Sequence, residues 1–171
     1  MHVPASLLIV ALLGIANCSK DESDGDDKTG TPSTGAVGEI ADTSKEGFVV
    51  FLKEATYRLW TTKQVAPIDS GGAHGGKTQT YFNDTAATAA KAGLASFPKG
   101  SVLVKDLFES DGVTTKGHAV MAKIEDGVGG ATWVWYEGFL PDFADPYYGK
   151  GLETCTGCHA SGSDFVRTIV P

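Results

Sequence analysis

Sulfur is scarce in this chain of 171 residues. It has three cysteines, Cys18, Cys155 and Cys158, and two methionines, of which only Met121 follows the initiator. So few cysteines exclude a fold stapled by several disulfides. Long apolar runs are lacking as well. The longest, Ala5 to Ala16, is too short to span a bilayer as a helix. Basic residues are outnumbered: 14 Lys and Arg face 21 Asp and Glu, for a formal net charge of −7, which argues against nucleic acid as a partner. No internal repeat is visible.

What is there concentrates in five residues, Cys155-Thr156-Gly157-Cys158-His159. The pattern C-x-x-C-H reads as a c-type haem attachment site. Each thiol can form a thioether to one haem vinyl group, and the histidine that follows is a natural axial ligand of the iron. The other readings of C-x-x-C are a redox dithiol and half of a zinc site. Zinc needs two further ligands, and the third cysteine, Cys18, is far away. A redox dithiol belongs at a strand-to-helix turn in a βαβ unit, which is not apparent here. A disulfide across two residues would be strained. The cofactor expected is therefore one covalent haem c, held by Cys155, Cys158 and His159. Only twelve residues follow His159, so nearly all of its pocket comes from earlier chain.

The N-terminus fits this chemistry. Residues 5–16 suit the apolar core of a signal peptide, and Ile15-Ala16-Asn17-Cys18 resembles a bacterial lipobox, in which the cysteine thiol is lipidated. Asn17 is bulkier than the usual residue there, and no Lys or Arg precedes the run. Plain export is the alternative to a lipid anchor. Both deliver the chain to the bacterial periplasm, where c-haem attachment takes place, and a lipid on Cys18 would hold it to a membrane. Residues 19–36 carry five acids against two lysines, with Gly, Ser, Thr and Pro, and they cannot bury apolar surface. They are expected to be disordered, as an acidic tether. The expected organisation is a signal peptide with lipobox over 1–18, the tether over 19–36 and a haem-binding domain over 37–171.

The domain reads as α+β. Thr43 or Ser44 caps a helix to about Trp60, with Phe48, Phe51, Leu52, Ala55 and Leu59 at helical spacing. Pro67 to Gly76 is a glycine-rich loop. Thr78 to Asn83 is a strand, and Asp84 is the expected N-cap of a short helix over Ala86 to Leu94. Three strands follow, Ser101–Ser110, His118–Glu125 and Ala131–Phe139, joined by Asp111-Gly112 and Asp126-Gly127 turns, which predicts an antiparallel meander. Leu140 to Gly151 reads as a loop into the haem motif. Small helical cytochromes carry C-x-x-C-H near their start and a ligand methionine downstream. Here Met121 lies upstream. A four-helix bundle is excluded by the strands of residues 101–139.

Further residues carry a resemblance. Tyr57-Arg58-Leu59-Trp60, Tyr81-Phe82-Asn83, Phe97-Pro98-Lys99-Gly100-Ser101-Val102-Leu103-Val104-Lys105-Asp106-Leu107, Ala119 to Lys123, Trp133 to Glu137, and Cys155 to His159 followed by Asp164-Phe165-Val166 resemble the cytochrome P-460 family, over nearly the whole domain. The resemblance implies a mainly antiparallel sheet flanked by helices and a homodimer. It also implies a five-coordinate haem that acts on hydroxylamine or nitric oxide and passes electrons to a redox partner protein. It points to Lys105 as the lysine that hydroxylamine-oxidising members cross-link to the haem, hence as the candidate catalytic residue. Relatives of the cytochrome c-prime-beta type lack this chemistry and bind small gases. A low-spin electron carrier with histidine as sixth ligand is a third possibility.

The residues themselves leave Lys105 open. It shares a strand face with Leu103 and Leu107, where burial would lower its pKa and free a nucleophilic amine. Alternatively Val102, Val104 and Phe108 form the core face and Lys105 sits in water. Hydroxylamine-oxidising members also have an arginine before the Tyr-x-[DN] strand end, where this chain has Thr78 and Gln79 with Lys77 alone basic. They have a proton-accepting carboxylate too, for which Glu125, Asp126 and Glu137 are candidates by type. His74, in the glycine-rich loop, either lines the distal pocket or is a surface histidine, and His118 is expected at the surface. Phe82, Phe97 and Phe108 are candidates to fill a dry distal pocket. Trp133 and Trp135 are core or haem-packing residues, or a dimer-interface stripe.

Overall fold

The computed structural model describes residues 40–170. The apolar run, Cys18 and the acidic segment lie outside the described residues. No described helix is long and apolar enough to cross a membrane.

The architecture is α+β. A mainly antiparallel sheet of seven strands has the order β1-β3-β4-β5-β6-β7, with β2 also paired to β3. The strands are β1 (Thr62–Lys63), β2 (Ile68–Asp69), β3 (Lys77–Phe82), β4 (Val102–Phe108), β5 (Thr115–Lys123), β6 (Trp133–Phe139) and β7 (Tyr147–Lys150). The meander expected over residues 101–139 is β4 to β6, and β7 lies in a stretch read as loop. Helix α1 spans Lys45–Glu54, α2 Asp84–Lys91 and α3 Glu153–His159.

The centre of the sheet is covered on both faces, so β4 and β6 lack a clean alternation of apolar and polar residues. One face packs Val102, Val104, Val120, Val134 and Tyr136 against Phe48, Phe51 and Leu52 of α1. The other packs Leu103, Met121, Trp133 and Trp135 against Ala86, Ala87 and Ala89 of α2. Trp133 and Trp135 are thus core residues, 0% and 3% exposed, and form no interface stripe.

Two helix boundaries differ from expectation. Ser44 caps α1 as expected, accepting from the Gly47 N–H. The helix stops at Glu54 because Ala55 turns left-handed at φ 54° and its N–H closes back on Phe51. A short 3-10 turn over Thr56–Leu59 follows, which swings Leu59 out to solvent and Tyr57 into the core. At α2 the cap is Asn83 rather than Asp84. The Asn83 Oδ1 accepts from both Ala86 N–H and Val102 N–H, which ties the helix start to β4.

His118 is buried, contrary to its expected place at the surface. It lies on the α1 face, in a polar knot with Tyr57, Arg58 and Asp106. The Tyr57 hydroxyl donates to Asp106 Oδ1 at 2.6 Å, His118 Nδ1 lies 2.8 Å from the same oxygen, and Arg58 Nε donates to Oδ2 at 3.2 Å. Burial opposes the Asp106 charge, but the bonds from His118 and Tyr57 and the Arg58 charge prevail, and the carboxyl is held below its usual range. A carboxyl depressed in the folded state stabilises above its unfolded pKa and loses that contribution as pH falls through the folded value. Asp106→Asn is expected to lower stability by about 2–3 kcal/mol at neutral pH, the worth of hydrogen bonds to a buried charge. The deficit shrinks below about pH 4, where an unfolded aspartate is protonated. Urea unfolding at both pH values checks this.

Candidate haem site

Helix α3 carries the C-x-x-C-H residues at positions i, i+3 and i+4, which puts both thiols and the imidazole on one helix face. The helix closes against residues 129–132. A Cβ on Gly130 would come within 2.4 Å of Thr156 Cγ2, so only glycine lets α3 approach this closely. Cys155 and Cys158 are both free thiols. Burial, with Glu137 and Cys158 nearby, pushes the Cys155 thiol up to about 11.

The helix face borders a cavity of about 230 Å³ whose floor is the α2 side of the sheet. Sheet pairing puts Thr80, Lys105, Ala119 and Glu137 in one row across β3, β4, β5 and β6. The next row holds Phe82, Leu103, Met121 and Trp135. Of these residues, Leu103, Lys105, Ala119, Met121, Trp135 and Glu137 line the cavity together with His74, Cys155, Cys158 and His159. Lys105 therefore shares the face of Leu103, as one of its two readings had it, and neither face of β4 is in water. Burial and the nearby Arg167 guanidinium lower its pKa, against the pull of Glu137. A second, more polar cavity of about 330 Å³ adjoins the first. It shares His74, Lys105, Cys158 and His159, and adds Thr78, Thr80 and Arg167.

His159 packs edge-on to Trp135 with ring centres 4.9 Å apart. Its Nδ1 lies 2.8 Å from the Phe165 carbonyl oxygen. That oxygen can only accept, so Nδ1 carries the proton and Nε2 has its lone pair free for a metal. Burial holds the imidazole's pKa down at about 4, so the ring is neutral near pH 7, as a metal ligand must be.

His74 is a cavity residue, brought there by the glycine-rich loop. Its Nδ1 lies 3.2 Å from Glu137 Oε1, and its ring centre lies 6.2 Å from that of His159. Among the three carboxylates considered by type, Glu137 is at the site. Glu125 pairs with Lys150 on the surface, and Asp126 accepts from the Lys99 N–H. The phenylalanines expected to fill the pocket do not line it. Phe82 and Phe97 sit in the core beneath α2, and Phe139 is the phenylalanine on the cavity wall. Thr78 and Gln79 offer no arginine, and the guanidinium nearest to Lys105 comes instead from Arg167, beyond the motif.

Two features escaped sequence reasoning. One is the Phe165 carbonyl, a backbone acceptor that no side-chain pattern announces. The other is the buried pair of Lys123 and Asp164, which bond at 2.6 Å with both side chains 0% exposed. Their separation in sequence hid it. Among the described residues, no three His, Cys, Asp or Glu gather as a metal-ion cage. The sequence matches no protein-family model, and no curated protein matches it.

Proposed function

We propose that this chain is an exported c-type haem protein of the cytochrome P-460 kind. In this reading Cys155 and Cys158 would hold one covalent haem, His159 would ligate its iron, and the haem would act on hydroxylamine or nitric oxide. One observation carries it: the C-x-x-C-H helix face meets Lys105, His74 and Glu137 on a single, mostly apolar cavity. Haem held there supplies an iron that binds small nitrogen species and exchanges electrons with them. The residues supply the rest. His159 offers a bare Nε2, and Trp135 fixes the ring plane. Leu103, Met121 and Phe139 exclude water. Lys105 offers a buried amine, and Glu137 accepts the protons that leave when hydroxylamine is oxidised. Electrons then pass to a redox partner protein. A lipid on Cys18 holds the chain to a periplasmic membrane, and the active form is a homodimer.

A second reading, a low-spin electron carrier with His74 as sixth ligand, is favoured by one distance. Two imidazoles on opposite sides of one metal, at about 2 Å each, have ring centres roughly 6 Å apart. His74 and His159 are 6.2 Å apart, each with Nδ1 beside an oxygen that leaves Nε2 free.

The test is the full chain, produced in a host that matures c-type cytochromes, followed by intact mass and the ferrous optical spectrum. One covalent haem with a high-spin spectrum supports the first reading, and a low-spin spectrum supports the second. No covalent haem overturns both. A bond from Lys105 Nζ to a haem carbon removes two hydrogens and needs an oxidant of the peroxide class. Its marks are a mass lower by those hydrogens and a strongly red-shifted Soret band. Lys105→Met is expected to return both to ordinary values. A high-spin spectrum that Lys105→Met leaves unchanged removes the cross-link and leaves a gas-binding protein of the c-prime-beta type.

A further inference from the structure

We infer that Lys123 and Asp164 are positioning residues for His159, an inference that rests on the haem site proposed above. The Lys123 Nζ donates to Asp164 Oδ2, to the Gly127 carbonyl and to the Thr132 hydroxyl, each at 2.6 Å. All three of its protons are thereby used. Asp164 also accepts from the Phe97 N–H at 2.9 Å and the Gly129 N–H at 3.4 Å. The ammonium sits 4.9 Å from the centre of the Trp133 ring. Nothing in the pair is free to act on a ligand.

What the pair holds is the backbone after the motif. Asp164 at φ 44° and Phe165 at φ 68° are consecutive left-handed residues, neither of them glycine. Such a conformation persists only where the surroundings impose it. Here it turns the Phe165 carbonyl onto His159 Nδ1. The partner of the non-ligating nitrogen sets the tautomer and the basicity of a metal-bound imidazole. The causal line therefore runs from Lys123 to Asp164, to the Phe165 carbonyl and to His159. A fully buried ion pair is a poor device for stability alone, since apolar replacements of similar volume often do as well. Its worth lies in geometry, because it admits one placement of residue 164.

The experiment uses the full-length chain with and without haem. In the haem-free chain, ¹⁵N NMR of His159 is expected to show the Nδ1–H tautomer. A Lys123→Met/Asp164→Asn variant is expected to show a mixture of both tautomers. In the loaded ferrous protein the same variant should have a lower iron–histidine stretching frequency and a higher reduction potential, because a weaker Nδ1 bond makes the imidazole a poorer donor. Asp164→Asn alone keeps the side chain's shape and an acceptor for Phe97, and it serves if the double variant does not fold. A variant that melts earlier but keeps the wild-type tautomer, frequency and potential makes the pair a strut and overturns the inference. So does a wild-type chain in the Nε2–H tautomer. Absence of covalent haem defeats the proposed function separately, and the tautomer still decides the role of the pair.

Discussion

A Cys155→Ser/Cys158→Ser variant is expected to carry no thioether-bound haem, where the unsubstituted chain is expected to carry one. Both thiols lie on the same face of α3 and border the same cavity. Serine keeps that helix and its volume but cannot make a stable thioether bridge. The two sheet cores contain neither residue among their fully buried members; Cys155 packs only at the edge of one. The variant should therefore fold, with a haem-free cavity. Each single variant keeps one thioether and thus one covalent haem. Intact mass under denaturing conditions reads all three. A double variant that still holds haem after denaturation would place an attachment elsewhere, at Lys105 if a further Lys105→Met substitution releases it.

Glu137→Gln is expected to lower hydroxylamine-oxidation turnover by about 100-fold, the low end of what a positioned proton acceptor contributes. Glutamine has the size and shape of the glutamate but takes no proton. Glu137 stands in the row of Lys105, separated from it by Ala119, whose small side chain leaves room between the amine and the carboxylate. It also holds the imidazole of His74. Haem content and the resting spectrum should not change, because neither Cys155, Cys158 nor His159 bonds to Glu137. Steady-state turnover with an artificial electron acceptor, measured with haem content on the same samples, checks the claim. Unchanged turnover would remove Glu137 from the chemistry and return the site to simple ligand binding.

The meander and the first helix were legible because short-range signals carry them: the Asp-Gly turns, the Ser44 cap and the spacing of Phe48, Phe51 and Leu52. Strand β7 was not. Its four residues include two exposed tyrosines and a glycine, and only backbone pairing with β6 makes it a strand. Lys105 was undecidable by alternation because β4 is buried on both faces, so Val104 and Leu103 are equally core. The burial of His118 has no local signal, because its partner, Asp106, lies on the neighbouring strand and the charge of Arg58 arrives from the turn after α1. The C-x-x-C-H motif was plain in the sequence. What stands opposite it was not, since His74 and Glu137 meet across 63 residues of chain.

Helix α3 and the segment after it join the sheet through contacts distant in sequence, whereas the meander is local. Strands β4, β5 and β6 are neighbours in sequence and need only short loops to pair, so they can form early. The contacts that seal the α2 side close much longer loops. Asp164 reaches back 41 residues to Lys123 and 67 to the Phe97 N–H. Val166 belongs to the α2-side core and Cys155 and Phe165 pack against it, so that core is incomplete until this segment docks. The thiols that would hold the cofactor belong to the same late segment. Loop-closure entropy therefore favours pairing of the sheet before closure of its second core. In the reading proposed above, a haem tethered to α3 before that closure would become part of the core, rather than a guest admitted afterwards.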